Sequence, residues 1–137
     1  MIIYEGFFIK NKLTGTLDKD IEFKHITTEY RPAKTHEYLY GAIARFKVLG
    51  YGNDGKNEGY KVALLSVDTS DMTNSGKASE VYDLYKQIEI PHITLSISLD
   101  GKAVNTKYLD FNDTKMDDTI IAVFGGYDGT KPVLGAI

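Results

Sequence analysis

The sequence is organised around one stretch, Pro91-His92-Ile93-Thr94-Leu95-Ser96-Ile97-Ser98, whose core recurs earlier in Lys24-His25-Ile26-Thr27-Thr28. Successive side chains of a β-strand point to opposite faces of a sheet. In each stretch the histidine therefore shares a face with the threonine two positions later, and the isoleucine between them lies on the other face. Each stretch is expected to form a strand that buries its isoleucine and presents an imidazole and a hydroxyl on one surface. The four residues presented in this way are His25, Thr27, His92 and Thr94.

Two imidazoles and two hydroxyls that meet across a cleft form a set suited to a phosphate ester. The unperturbed pKa of imidazole is near 6.5, so one copy can accept a proton while another donates one. We expect His25 and His92 to be base and acid, in an order left open, each contributing on the order of 10²–10⁴ in rate. Thr27 and Thr94 are expected to bind the non-bridging phosphate oxygens, with Ser96 as a weaker third donor. The alternative is that each histidine is an ordinary polar residue on the solvent-exposed face of a sheet, and that threonine is present because it favours strands.

Length and composition set limits on the function. The 137 residues are expected to form a single domain, 1–137. Cysteine is absent, which excludes disulfides and thiolate sites, and no histidine and acid cluster suggests a metal, so neither metal nor cofactor is expected. A formal net charge of −3 with mixed signs suggests no broad basic face for a long nucleic acid and is compatible with a small anionic ligand in a local pocket. Without a leader-like or membrane-spanning stretch, we expect a cytoplasmic protein with no membrane partner.

Hydrophobic patterning predicts an α+β fold of antiparallel strands with one main helix. The helix is predicted over residues 77–89, where Val81, Leu84, Tyr85 and Ile88 recur at helical spacing. A turn region is predicted over 50–59, whose glycines lack the Lys-Ser/Thr pair of a phosphate loop. Strands are predicted over 1–10, 21–30, 42–49, 60–67, the second stretch, 102–109, 119–124 and 133–137. The third histidine, His36, has no triplet around it and is expected to be an ordinary surface residue.

The paired triplets and four further segments resemble the two-histidine (2H) phosphoesterase superfamily, and within it a small phage-encoded branch that includes anti-CBASS enzymes. The segments are Tyr4-Glu5-Gly6-Phe7-Phe8-Ile9, Val48-Leu49-Gly50-Tyr51-Gly52-Asn53, Ile90-Pro91-His92-Ile93-Thr94-Leu95-Ser96 and Val123-Phe124-Gly125-Gly126. The resemblance implies two pseudo-symmetric lobes of antiparallel sheet around a central cleft. It also implies a phosphodiesterase that destroys a cyclic nucleotide or cyclic oligonucleotide signal in the host cytoplasm. One departure is Thr28, where the family usually has an apolar residue.

Contacts to a nucleobase would fall to tyrosine or phenylalanine, because the chain has 10 Tyr, 6 Phe and no Trp. Tyr4, Tyr51 and Tyr127 are the candidates, since tyrosines beside glycines or in loops can reach a cleft, although each could equally be a packing residue. Two other functions stay open. The chain could open the 2′,3′-cyclic phosphate at an RNA end, or it could be a non-catalytic module that sequesters a nucleotide or another partner. A homodimer formed through an edge strand is also possible.

Overall fold

The computed structural model describes residues 1–68, 76–112 and 119–135. Within these residues the fold is α+β, as predicted, with one antiparallel sheet, one α-helix and two short 3₁₀ helices. The strands are β1 (Tyr4–Ile9), β2 (Lys19–Asp20), β3 (His25–Tyr30), β4 (Ile43–Asn53), β5 (Asn57–Asp68), β6 (His92–Ile97), β7 (Thr119–Tyr127) and β8 (Pro132–Val133). The helices are α1 (Gly76–Lys86), the first 3₁₀ helix (Glu37–Leu39) and the second 3₁₀ helix (Ala103–Tyr108).

The order of the strands places the two triplets far apart along the sheet. The sheet runs β2-β6-β5-β4-β7-β1-β3, and β8 pairs with β7. The first triplet opens β3, at one edge, and the second opens β6, which lies beside the other edge. Nevertheless β3 contacts β6. Twist and curvature of the sheet therefore bring the two histidine-bearing strands together.

The hydrophobic core lies on the face of the sheet to which the triplet isoleucines point. Ile26 and Ile93 are both fully buried, as the alternating pattern predicts. Phe7 packs edge-on against two other core rings, and its centroid lies 5.1 Å from that of Phe46 and 5.5 Å from that of Phe124. The predicted helix is present as α1 and packs on this core through residues that include Val81, Leu84 and Tyr85. No helix of the described residues is long and apolar enough to cross a membrane.

The turn predicted over 50–59 is much shorter in the structure. β4 continues to Asn53 and β5 begins at Asn57, so the chain reverses over residues 54–56, with Gly55 at a positive φ of 84°. Gly50 and Gly52 lie within β4, at points where another segment of the chain passes close to the strand. A Cβ on Gly50 would lie 2.2 Å from the carbonyl oxygen of Phe111. The glycines that resembled a loop signal thus permit a close backbone approach.

The strand predicted over 102–109 is wrong, because this segment forms the second 3₁₀ helix. Thr106 is buried in it and accepts a hydrogen bond from Asn57 Nδ2 at 3.0 Å, and the same nitrogen donates to Lys102 O at 2.7 Å. These tertiary bonds hold the segment in a compact turn, which local strand propensity does not register. The strand predicted over 133–137 is limited to β8, and residues 136–137 lie outside the described part. The sequence also predicts a polar loop over 68–76 and an acidic loop over 110–118, and most of both lies outside the described residues.

Candidate active site

The two triplets are held by similar strand pairings. In the β1–β3 pair Gly6 lies opposite Thr27, and in the β5–β6 pair Gly59 lies opposite Thr94. A register shift directly precedes each glycine, after Glu5 in one pair and after Glu58 in the other. A Cβ on either glycine would meet the carbonyl oxygen of the triplet isoleucine, at 2.2 Å in the first pair and 2.5 Å in the second. Glycine therefore allows the neighbouring strand to approach each triplet at the same point.

Hydrogen bonds to the main chain orient both imidazoles in the same way. Nδ1 of His25 lies 2.8 Å from the carbonyl oxygen of Phe23, and Nδ1 of His92 lies 2.7 Å from that of Ile90. A carbonyl oxygen only accepts, so each Nδ1 carries a hydrogen and donates it. In the neutral ring Nε2 is then the basic nitrogen. The described residues provide no hydrogen-bond partner for either Nε2, and each nitrogen is available to take or give a proton.

The surroundings of both histidines lower the imidazole pKa and so favour the neutral ring. Burial lowers the pKa of His25 below its ordinary value, the bond to Phe23 opposes this, and the nearby charge of His92 lowers it further. Burial also lowers the pKa of His92, the bond to Ile90 opposes it, and the ammonium of Lys107 adds to the lowering. The strands that carry the two rings contact each other, and the charge of His92 acts on His25, so the two histidines lie in the same part of the fold. At neutral pH each ring can therefore act as a proton acceptor.

The two threonines have different surroundings. Thr27 is half-buried, and no described residue hydrogen-bonds to its hydroxyl. Thr94 is buried, and its hydroxyl lies 2.9 Å from Oγ1 of Thr106, to which it donates. The same Oγ1 accepts the bond from Asn57 Nδ2. Since both groups are rotatable hydroxyls, Thr106 can instead donate to Thr94 and leave the hydrogen of Thr94 free for a ligand.

Two of the predicted tyrosines lie beside the first histidine. The ring of Tyr4 stacks on His25 with centroids 4.4 Å apart and on Tyr127 with centroids 5.1 Å apart. The hydroxyl of Tyr4 lies 3.2 Å from Nδ1 of His25. Burial, and to a lesser extent Tyr127, raises the pKa of Tyr4, so the phenol stays neutral. Tyr4 and Tyr127 therefore form an aromatic wall at His25.

The other two predicted contact residues, Tyr51 and Ser96, lie together in a different cluster. Ser96 Oγ donates to Oε1 of the buried Glu58 at 2.6 Å, and the hydroxyl of Tyr51 donates to Oε2. Thr16 adds bonds to the same carboxylate from its amide at 2.6 Å and its hydroxyl at 3.0 Å. Burial raises the pKa of Glu58, but the bonds from Ser96, Tyr51 and Thr16 outweigh it and leave the pKa lowered. The structure thus joins Tyr51 and Ser96 to an internal carboxylate.

His36 is not the ordinary surface residue that the sequence predicts. Its Nδ1 lies 2.7 Å from Oε1 of Glu5, and its amide donates to Oε2 at 2.6 Å. Glu5 is buried and accepts a third bond from the hydroxyl of Tyr40 at 2.8 Å. Both buried carboxylates, Glu5 and Glu58, precede the glycines opposite the triplets. The repeated Glu-Gly pair was the sequence signal that could have identified this arrangement.

Comparisons with known proteins leave the geometry as the basis for assigning a function. No protein-family model matches the chain, and no curated protein or solved structure matches it either. Among residues 1–68, 76–112 and 119–135, no group of three or more histidine, cysteine or acidic side chains could hold a metal ion. The feature that stands out in these residues is the pair of similarly oriented imidazoles.

Proposed function

We propose that the chain is a metal-independent phosphodiesterase that hydrolyses a cyclic nucleotide or cyclic oligonucleotide. The observation that carries the proposal is the matched hydrogen bonding of His25 and His92. Each donates its Nδ1 hydrogen to a carbonyl two residues earlier and keeps Nε2 available, on strands that contact each other. The resemblance to anti-CBASS enzymes adds the biological role, which is removal of a host immune signal by a phage protein.

The proposal includes a two-lobed, pseudo-symmetric arrangement around a cleft. The strand order supports it, because β6, β5 and β4 on one side correspond to β3, β1 and β7 on the other, and β4 pairs with β7 at the centre. The matched positions of Gly6 and Gly59, opposite Thr27 and Thr94, give further support. Each lobe then supplies one histidine and one threonine to the same substrate.

In the proposed reaction one imidazole removes a proton from the attacking group, which is water or a ribose 2′-hydroxyl. The oxygen of that group forms the new bond to phosphorus. The other imidazole, as its cation, gives a proton to the leaving oxygen as its bond to phosphorus breaks. The lowered pKa values of His25 and His92 leave a neutral base ready at pH 7, and the negative phosphate of a bound substrate raises the pKa of the nearer ring so that it can be the acid.

The threonines are proposed to hold the non-bridging oxygens while phosphorus is five-coordinate. The hydroxyl of Thr27 has no hydrogen-bond partner in the described part of the chain and can serve this purpose. Thr94 is oriented by a chain of hydrogen bonds. Asn57 donates to Thr106, Thr106 can donate to Thr94, and Thr94 can then donate to the phosphate. Donors fixed before the reaction stabilise developing charge with little reorganisation.

The test is mass-spectrometric analysis of purified protein incubated in EDTA with cyclic di- and trinucleotides, 2′,3′-cyclic mononucleotides and an RNA that ends in a cyclic phosphate. His25→Ala and His92→Ala are each expected to lose on the order of 10²–10⁴ in rate. His36→Asn is the matched control. The main-chain amide of residue 36 can still donate to Glu5, and the substitution leaves both triplets unchanged. Circular dichroism checks that all variants fold.

Each outcome selects a function. Consumption of a cyclic oligonucleotide that both histidine variants abolish supports the proposal. Consumption of the RNA end alone assigns the same chemistry to RNA processing. If wild type consumes nothing, or if a histidine variant remains fully active, the catalytic assignment is wrong, and binding of the intact ligands would support a sequestering module.

A further inference from the structure

The surroundings of the two histidines differ in chemical character. Directly opposed residues of an antiparallel pair project to the same face of the sheet. Phe8 is opposite His25, whereas Lys61 is opposite His92. His25 also stacks on Tyr4, whereas the charge of Lys107 acts on His92. One side of the site is aromatic and the other is cationic.

Lys107 is held next to the second triplet by the second 3₁₀ helix. The preceding residue, Thr106, is buried and bonded to both Thr94 and Asn57. Gly59 makes room for it, because a Cβ there would lie 2.5 Å from the methyl group of Thr106. The position of residue 107 relative to β6 is therefore determined by buried contacts.

No acid among the described residues neutralises the two lysines on the His92 side. Among the described residues, neither Lys61 nor Lys107 has a carboxylate within ion-pair distance. The ammonium of Lys107 instead lies 5.1 Å from the ring centroid of Tyr108, which is largely exposed. Uncompensated cations beside a phosphodiester site attract further negative charge.

We propose that Lys107, together with Lys61, binds a second phosphate of the substrate on the His92 side of the site. The inference rests on the proposed phosphodiesterase function and specifies its substrate class. The substrate carries at least two phosphates, and so is a cyclic oligonucleotide and not a cyclic mononucleotide. A base of the same molecule lies toward Tyr4 and Tyr127, on the aromatic side. Lysine suits this role because its ammonium contacts a phosphate as a point charge.

A lysine near His92 could instead act on the phosphate that reacts. That role would stabilise the transition state and would lower kcat for every substrate. Binding of a second phosphate contributes to affinity alone and matters only when the substrate has one. The number of phosphates in the substrate therefore distinguishes the two roles.

The experiment compares Lys107→Gln, Lys61→Gln and the double variant with a matched control, Lys86→Gln. Lys86 is an exposed lysine of α1 whose ammonium also lies over a tyrosine ring, 4.9 Å from the centroid of Tyr82. For cyclic di- and trinucleotides, Lys107→Gln is expected to raise KM about tenfold, and the double variant more, with kcat within about twofold of wild type. Turnover of a 2′,3′-cyclic mononucleotide, which has one phosphate, is expected to be unchanged in all variants.

An equal loss on substrates with one phosphate and with several, or a fall in kcat, overturns the proposal. So does an unchanged KM for the cyclic di- and trinucleotides. If wild type turns over no substrate, the proposed function fails, and the lysine site is tested separately by titration of inorganic pyrophosphate against the NMR resonances of His92. A shift in wild type and Lys86→Gln that is lost in Lys107→Gln supports the anion site, and an equal shift or no shift overturns it.

Discussion

The hydroxyl of Ser96 donates a 2.6 Å hydrogen bond to Oε1 of Glu58, and both side chains are buried. Ser96 follows His92 and Thr94 on the same strand at the spacing that gives one face, yet its oxygen is already bonded within the protein. It also accepts a 3.1 Å bond from the amide of Leu17 and so ties the segment before β2 to β6. The polar face of this strand therefore changes role along its length, from candidate chemistry at His92 to internal support at Ser96.

Ser96→Ala is expected to lower the free energy of unfolding by about 1–3 kcal/mol, because Glu58 loses a buried donor. Turnover by the folded variant should stay within about twofold of wild type. Urea denaturation and initial rates measure the two effects, with the exposed Ser66→Ala as the control. A variant of wild-type stability with a raised KM would return Ser96 to the list of substrate contacts.

The pKa values of His25 and His92 are expected to lie below 6.5 and to be coupled. His92→Ala removes a neighbouring positive charge and should raise the pKa of His25, which stays below its ordinary value because burial is the larger cause. Lys107→Gln should likewise raise the pKa of His92. Titration of the imidazole carbon-bound protons by NMR gives each value. A pKa of His25 that does not respond to loss of His92 would mean that the two rings are too far apart to share a substrate.

The same lowered pKa values predict how stability depends on pH. The unfolded chain protonates these histidines near pH 6.5, and the folded protein does so only at lower pH, so the unfolded state binds more protons in between. The free energy of unfolding should therefore decrease as the pH falls from about 7.5 through 6.5 toward the folded pKa values. Urea denaturation at several pH values measures it, and the double variant His25→Ala, His92→Ala should show a shallower decrease. A free energy that increases over this range would contradict the lowered pKa values.

The local pattern predicted the interior of the two triplet strands better than the surroundings of the site. The alternating pattern alone correctly predicted that Ile26 and Ile93 are buried, because the period of a strand is a property of the chain itself. The partners of Ser96 and His36 depend on residues from distant segments, 38 and 31 positions away, for which a single sequence carries no pairing signal. Lys107 was missed for a related reason, since the segment that carries it was predicted to be a strand. The position of Lys107 depends on hydrogen bonds that the buried Thr106 makes with residues of β5 and β6.

Gly6→Ala and Gly59→Ala are both expected to destabilise the fold by about 1–3 kcal/mol or more, as overpacked positions do. In each case the added methyl group would collide with a carbonyl oxygen of the opposing triplet, at 2.2 Å and 2.5 Å. Gly135→Ala is the control, because a Cβ there meets no atom of the described residues within 4 Å. Thermal and urea denaturation compare the three. If only one of the two variants is destabilised, the two triplets are not held by equivalent close contacts between a glycine and the opposing strand.

Tyr4 is expected to position His25, because its ring stacks on the imidazole and on Tyr127. Tyr4→Phe keeps the ring and should retain kcat within about threefold, whereas Tyr4→Ala lets the imidazole move and should lower kcat on the order of 10–10². Tyr4→Ala should also raise solvent exposure at His25 and so move its pKa toward the ordinary value, since burial is the main cause of the lowering. Steady-state kinetics and NMR titration of both variants provide the measurements, with Tyr82→Ala as an exposed aromatic control. A rise in KM without a change in kcat or in the pKa of His25 would show that Tyr4 contacts the base of the substrate but does not position His25.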